Sequence, residues 1–134
     1  MRVKSISSLA IVLVAGAWSP ARAQAPKAPA ATRTVLQKHD LRAPGEEGVM
    51  ALVEIPAGGR EGQHTHPAET FVYVIEGTIA FDVEGKATAM YKAGDSFFIE
   101  PERIHEARND GGSPARLVAV FVTDKGKPLT TPVK

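Results

Sequence analysis

The sequence predicts an all-β domain built as an antiparallel sandwich or barrel. From about Arg33 onward, short runs rich in Val, Ile, Phe and Thr alternate with turns that contain Gly, Pro or Asp. None of these runs repeats its apolar residues with the 3.6-residue period of a helix. Many short strands with regularly spaced turns are typical of a double-sheet fold, and the length of 134 residues suits one such domain.

The strands follow from local composition and alternation. The predicted strands are residues 34–38, 49–55, 63–66, 70–75, 78–83, 87–91, 96–99, 104–108 and 116–123. Gly77 and Gly94 stand at turns that need a positive φ angle. Alternation places Ile79, Phe81 and Val83 on one face, which we expect to be the core face. Both faces of the last predicted strand are apolar, so we expect that strand to be covered on both sides.

The N-terminal residues are typical of an export signal. Arg2 and Lys4 form a short basic region, residues 6–17 form an uncharged apolar run, and residues 21–23 (Ala-Arg-Ala) match a cleavage pattern. The apolar run is shorter than the roughly 20 residues that a membrane-spanning helix needs. We therefore expect a signal peptide at residues 1–23, a periplasmic or secreted mature protein, and no membrane attachment after cleavage.

The residues after the expected cleavage site describe the mature protein. Residues 24–32 consist mostly of Ala and Pro with one Lys, which predicts a disordered leader before a domain at residues 33–134. Loss of the signal peptide leaves 13 basic against 15 acidic residues, a net charge of −2, with no basic cluster. The charge therefore gives no reason to expect nucleic-acid binding. Because the chain has no cysteine, its core must hold the fold without disulfides.

Three of the four histidines form one arrangement. His64 and His66 are one residue apart in a predicted strand, so their side chains point to the same face. His105 joins them if the intervening strands fold back as antiparallel hairpins. Since neutral imidazole is a common metal ligand, this arrangement predicts a metal site. His39 stands outside it and is expected to be an ordinary packed or surface residue.

The spacing of these residues resembles the first motif of the cupin family, whose fold is a small double-sheet jelly roll. That motif reads Gly, five residues, His-x-His, three or four residues, Glu, six residues, Gly. Gly58, His64, His66 and Gly77 stand at its offsets. The resemblance implies an antiparallel jelly-roll β-barrel and a metal held by the motif histidines.

The second cupin motif is matched with one change. It reads Gly, five residues, Pro-x-Gly, two residues, His, three residues, Asn, and this chain offers Gly94, His105 and Asn109. Glu100 and Glu102 hold the Pro and Gly positions of the Pro-x-Gly element. The altered turn keeps its length, so we expect His105 to reach the site.

The carboxylate of the first motif is the larger departure. The position in phase with the motif histidines holds Thr70, and the nearest carboxylate belongs to Glu69. Simple alternation aims Glu69 away from the histidines, whereas a bulge at residues 67–68 would aim it toward them. The ligand set therefore stays open between three histidines with Glu69 and three histidines alone, and the period-2 rule favours the second.

The resemblance also implies a function. Three imidazoles without a thiolate suit one divalent transition metal, namely Fe, Mn, Ni, Cu or Zn. A small organic ligand or substrate would bind beside the metal, in a pocket for which the aromatic side chains are candidates, although aromatics are more often plain core. The resemblance favours a metal-dependent oxygenase of the quercetinase or diketone-cleaving type, with catalytic side chains unspecified. The alternative is a non-catalytic cupin that binds or senses a metal or small ligand.

Because cupins commonly dimerise and sheet edges invite pairing, we expect a homodimer.

Overall fold

The computed structural model describes residues 25–134, so the expected signal peptide at residues 1–23 lies outside the described residues. Ten strands form within these residues: two have the predicted bounds, seven differ from their predicted bounds by a few residues, and one was not predicted. In chain order they are β1 Thr32–Asp40, β2 Glu46–Ile55, β3 His64–Thr65, β4 Ala68–Glu76, β5 Thr78–Val83, β6 Ala89–Lys92, β7 Ser96–Ile99, β8 His105–Arg108, β9 Ala115–Asp124 and β10 Thr131–Pro132. The sequence analysis missed β10 because two residues, one of them proline, carry too little pattern.

The strands form two antiparallel sheets of five strands each. The large sheet has the order β1-β2-β9-β4-β7, and the small sheet has the order β10-β3-β8-β5-β6. This confirms the predicted all-β double-sheet jelly roll. Within the part of the chain from residue 25 onward, no helix is both long and apolar enough to cross a membrane.

The core lies between the sheets and is filled by inward side chains of β2, β4, β5, β7, β8 and β9. In β2 and β9 every second residue is buried, including Ile55 and Phe121. The expectation that the last strand is covered on both sides is wrong. Its other row, Val118, Val120 and Val122, is half-buried, because the small sheet covers only the inner face of the large sheet.

Strand parity also divides the aromatic residues. Phe81, Phe97 and Phe121 face the interior, whereas Phe71, Tyr73 and Phe98 are about half exposed on the outer face of the large sheet. Phe71 and Phe98 lie directly opposite each other on β4 and β7, with ring centres 5.1 Å apart. Only the inner group can line a cavity beside the histidines.

The homodimer expected from the sheet edges stays a prediction.

The ordered domain begins before residue 33. The amide of Ala31 donates to the carbonyl of Arg60 (3.1 Å), and the amide of Arg60 donates to the carbonyl of Pro29 (3.0 Å). The last residues of the expected leader at 24–32 are therefore paired to the domain. Their Ala and Pro composition did not indicate this because backbone hydrogen bonds do not depend on side-chain type.

Two turn glycines allow a test of backbone strain. Gly77 and Gly94 both have positive φ angles, 80° and 91°. A Cβ added at Gly77 would lie 2.8 Å from the Pro114 carbonyl oxygen and 2.9 Å from the Cα of Ala115, whereas one added at Gly94 meets nothing within 4 Å. We expect Gly94→Ala to lower the free energy of unfolding by about 1–2 kcal/mol through its φ angle alone. Gly77→Ala should lower it further, because backbone must move. Urea unfolding of both variants measures the difference, and equal losses would contradict the steric argument.

Candidate metal centre

Strands β3 and β8 bring the three histidines together. His64 on β3 pairs directly with His105 on β8, and His66 follows β3 by one residue. All three side chains are buried, at 2–3% exposure. One ring nitrogen from each lies within 4.8 Å of the others, and the ring centres are 4.4–4.8 Å apart. We call His64, His66 and His105 the histidine cluster.

Each ring of the histidine cluster is oriented by a backbone carbonyl that accepts a hydrogen bond from Nδ1. The three pairs are His64 with Gly62 at 2.7 Å, His66 with Leu129 at 2.6 Å and His105 with Arg103 at 2.7 Å. A carbonyl oxygen can only accept, so each Nδ1 carries the proton. Each Nε2 of the neutral rings therefore carries a lone pair, the form in which imidazole binds a metal.

The three Nε2 lone pairs point into one small region. The Nε2 atoms of His64 and His66 are 3.3 Å apart, yet neither has a proton to share with the other. The Nε2 atom of His105 is buried and has no hydrogen-bond partner among residues 25–134. Buried lone pairs without a donor are costly, and a cation placed among them removes that cost. The donor set fits a transition metal that accepts imidazole nitrogen.

Burial keeps two of these rings neutral. It lowers the pKa of His66 to about 3, against the opposing effect of the hydrogen bond to Leu129, and the neighbouring His64 and His105 lower it further. Burial likewise lowers the pKa of His105 to about 4, with the bond to the Arg103 carbonyl opposing it. Both side chains are therefore deprotonated at neutral pH, as metal ligation requires.

Two cavities adjoin the histidine cluster. The inner cavity, of about 20 Å³, is mostly apolar and includes His66, His105, Thr70 and three phenylalanines in its wall. This volume is sufficient for one water molecule or one ion. The mouth cavity, of about 380 Å³, lies against His64 and opens toward solvent. Its size is in the range of small-molecule sites.

The structure does not bring Glu69 to the histidines. Residues of β4 alternate strictly at its start, so Thr70 is 1% exposed on the inner cavity while Glu69 is exposed. Glu69 lies instead at a surface pocket beside Pro67 and Thr123. The register shift of β4 against β9 falls at its far end, between Val74 and Glu76, and so leaves the parity near the histidines unchanged.

The second motif reaches the histidine cluster although its turn is altered. Glu102, at the motif glycine position, adopts a left-handed backbone with a φ angle of 59°. Its amide donates to the carbonyl of His66 at 2.8 Å, so this turn is tied to the first motif. The turn has the length of the motif and, as expected, brings His105 to the histidine cluster. His39 is exposed on β1, outside the cluster.

The motif asparagine has a structural task. Asn109 is 1% exposed, and its Nδ2 donates to the carbonyls of Ile55 (3.0 Å) and Ser113 (2.7 Å). Its Oδ1 accepts from the amide of Gly111 at 3.0 Å. These bonds join the end of β8 to the end of β2 across the two sheets. Asn109 thereby holds the strand that carries His105.

Two charged residues near the histidines were missed by sequence analysis. Arg33 and Glu61 line both the inner cavity and the mouth cavity. Glu61 precedes His64 by three residues, so strand alternation would point the two side chains to opposite faces. Gly62 lies between them with a φ angle of 82° and interrupts that alternation, so Glu61 reaches the same cavities as the histidines. Arg33 belongs to β1, the first strand, which is far from the histidines in the sequence. No local pattern in the sequence connects it to the histidines.

The geometry agrees with a comparison to known families. A family model described as a cupin domain matches residues 51–121, more than half of the chain. The chain is a cupin. The matched segment of this cupin contains all three residues of the histidine cluster. Arg33 lies outside the matched segment.

Known proteins resemble this cupin over part of their length. The polyketide synthase CurC of Streptomyces cyaneus is 38% identical over 72 residues, which cover 53% of this chain and 46% of that protein. The chain spans less than half the length of the curated relatives it matches.

Solved structures show the same fold. A conserved protein with a double-stranded β-helix domain from Klebsiella pneumoniae subsp. pneumoniae has a TM-score of 0.64 at 22% identity, over 79% of this chain and 89% of that one. The DMSP lyase DddQ from Ruegeria pomeroyi has a TM-score of 0.58 at 22% identity, over 64% of this chain and 43% of that one. At these identities the likeness concerns the fold.

The positions of Thr70 and Glu69 predict opposite results for two carboxylate variants. Thr70→Glu introduces an anionic side chain on the inner cavity beside His66 and should tighten binding of Co(II) by about ten-fold or more. Glu69→Gln removes an exposed charge on the other face and should leave the affinity nearly unchanged. Metal affinity is measured by competition with a chromophoric chelator. Strong loss in Glu69→Gln, with no gain in Thr70→Glu, would contradict the observed parity.

Proposed function

We propose that this cupin is a metal-dependent enzyme that acts on a small organic molecule, with one divalent transition metal held by the histidine cluster. The observation that carries the proposal is the convergence of three buried Nε2 lone pairs, each fixed by a carbonyl bond at Nδ1. This arrangement is unfavourable without a cation among the nitrogens. Surface or core histidines have no comparable reason to converge.

The donor set limits the metal. Three imidazoles, with neither thiolate nor carboxylate at the cluster among the described residues, suit Fe, Mn, Ni, Cu or Zn. Three protein ligands leave coordination positions open for a substrate, and a bound metal would supply Lewis-acid or redox chemistry there. His64, His66 and His105 would hold it, while Phe81, Phe97 and Phe121 would exclude bulk water from its inner side.

The substitution at Thr70 restricts the substrate. A threonine hydroxyl replaces the motif carboxylate on β4, so that strand provides no base to remove a substrate proton. The carboxylate that does line both cavities, Glu61, is paired with Arg33, so the site favours a substrate that is acidic itself or that enolises readily. Flavonols and β-diketones have this property, which supports an oxygenase of the quercetinase or diketone-cleaving type as the reaction.

A non-catalytic role is the second candidate, and one observation favours it. The inner cavity has room for little more than the ion. A substrate would have to bind from the mouth cavity, which is open to solvent. A cupin that only binds or senses a metal or small ligand needs no enclosed reaction chamber, and the fold by itself supports either role.

Replacement of the cluster histidines tests the proposal. His64→Ala, His66→Ala and His105→Ala should each remove most of the metal bound by the purified protein, because two imidazoles hold a divalent ion far more weakly than three. His39→Ala, on the exposed side of β1, is the matched control and should retain the metal. Elemental analysis measures the content, and oxygen consumption with quercetin or acetylacetone measures turnover. Metal retained by His105→Ala would refute the site, while full metal content without turnover of either compound would favour the non-catalytic candidate.

We also propose that the protein acts outside the cytoplasm, in the periplasm or after secretion. The basic, apolar and small-residue segments at the N-terminus support this proposal. Expression of the full chain followed by intact-mass measurement of the exported protein should give a mass that begins at Gln24. A mass that retains the first 23 residues would refute export by cleavage.

A further inference from the structure

Arg33 is placed beside the histidine cluster by the fold alone. It is the one residue of β1 that is not exposed, with 24% of its side chain accessible. Its neighbours on the strand, Thr32 and Thr34, are exposed. β1 is the edge of the large sheet, and its first residues lie over the mouth cavity, so the single inward side chain there enters the wall of that cavity. An arginine at this position is costly unless it has a partner.

One edge of the Arg33 guanidinium, formed by Nε and Nη2, makes no strong hydrogen bond among the described residues; we call it the weakly used edge. Nη1 donates to the hydroxyl of Thr130. Nη2 is 3.5 Å from Oε1 of Glu61, the upper limit of a hydrogen bond, and Nε is buried without a partner among the described residues. Nε and Nη2 form the edge that pairs with a carboxylate through two parallel hydrogen bonds.

The guanidinium is held in place by stacking. Its central carbon lies 5.6 Å from the centre of the Phe121 ring, and that ring lies 5.0 Å from the ring of His66. A cation over an aromatic face is stabilised by the ring quadrupole. A contact with the face of the guanidinium leaves its edges free for hydrogen bonds, and it places Arg33 one aromatic ring away from a proposed metal ligand.

The charges of the two cavities favour an anion. Arg33 and Glu61 are the charged side chains in both cavity walls as far as the structure describes the chain. They cancel each other, so a divalent ion at the histidine cluster would leave the site with a net charge of about +2. Arg33 also contributes to lowering the pKa of His66 and His105, which places its charge within electrostatic reach of the cluster.

We propose that Arg33 is the anion-recognition residue of this site, and that the substrate is a small organic acid that enolises at one end and carries at the other a carboxylate that pairs with the guanidinium edge, where the mouth cavity meets the inner cavity. The inference rests on the proposed metal-dependent function for the other end of the substrate, which would face the histidine cluster. Glu61 lies beside this edge, with Oε1 3.5 Å from Nη2. Its carboxylate therefore competes with the substrate for Nη2 and for the charge of the guanidinium.

This competition predicts opposite effects at two neighbouring residues. Arg33→Gln removes the charge and the paired donors, so binding of malonate should weaken by about ten-fold or more. Glu61→Gln removes the internal competitor and one negative charge, so malonate should bind several-fold more tightly. A residue that only supports the local fold would not give effects of opposite sign. Arg33→Lys keeps the charge but not the fork, and should bind malonate with intermediate affinity.

The measurement is a titration of Co(II)-loaded protein with malonate, in which the visible absorption of the metal reports binding. A parallel titration uses the uncharged analogue malonamide. The matched controls are Arg116→Gln and Glu54→Gln. Those residues also form a partly exposed arginine–glutamate pair, at 3.3 Å, but they lie on the outer face of the large sheet. Both controls should bind malonate as the unaltered protein does, and all variants should retain their metal by elemental analysis.

Each outcome decides the inference. Equal malonate binding in Arg33→Gln and the unaltered protein, or equal binding of malonate and malonamide, would overturn it. Loss of metal in Arg33→Gln would assign the residue a structural role and overturn it as well. If the unaltered protein holds no cobalt, the proposed function fails, and calorimetry on metal-free protein then decides the inference alone. Malonate binding that depends on Arg33 would support it there, and binding that does not would overturn it.

Discussion

The histidine cluster depends on three hydrogen bonds to backbone carbonyls. Each bond keeps the proton of the neutral ring on Nδ1 and thereby leaves a lone pair on Nε2, while it also fixes the direction of the ring. The carbonyls belong to Gly62, Arg103 and Leu129, which come from three separate parts of the chain. Gly62 and Arg103 each lie two residues before the histidine that they orient, whereas Leu129 is 63 residues from His66, so only this third bond depends on long-range folding. A local change in any of these connections would turn one lone pair away from the centre.

The two sheets supply the rigidity that this orientation requires. Glu102 ties the turn before β8 to the carbonyl of His66, and Asn109 ties the end of β8 to β2. Both contacts join segments that are far apart in sequence. The left-handed conformation of Glu102 costs free energy, which the hydrogen bond to His66 helps to offset. The site is thus held by motif positions that do not belong to the histidine cluster.

Replacement of one carboxylate changes the chemistry that the site can perform. Thr70 puts a neutral hydroxyl where the cupin motif has an acid, so the inner cavity lacks an anionic group on β4. Its charge is instead set by Arg33 and Glu61, which stand farther out, at the junction with the mouth cavity. A more positive centre with an arginine at its entrance is suited to substrates that arrive already ionised. In the proposed function, substrate selection and metal binding would therefore be divided between different strands.

The sequence alone determined the fold class, most strands and the histidine cluster. These features rest on local signals: period-2 alternation, turn glycines and the offsets of two motifs. Alternation also favoured the inward position of Thr70 over Glu69. Most strand bounds differed by a few residues, because pairing with a neighbour decides where a strand begins and ends.

Only the tertiary structure decided which charged residues face the histidines. Arg33 reaches the cavity because β1 pairs with β2 at the edge of the large sheet, and Glu61 does so because Gly62 breaks the alternation before His64. The outward row of β9 stayed half-exposed for a similar reason, since the coverage of a sheet face depends on the strands around it. Sequence patterns record which residues share a face, whereas the groups opposite that face are set by long-range strand pairing, which local spacing does not encode.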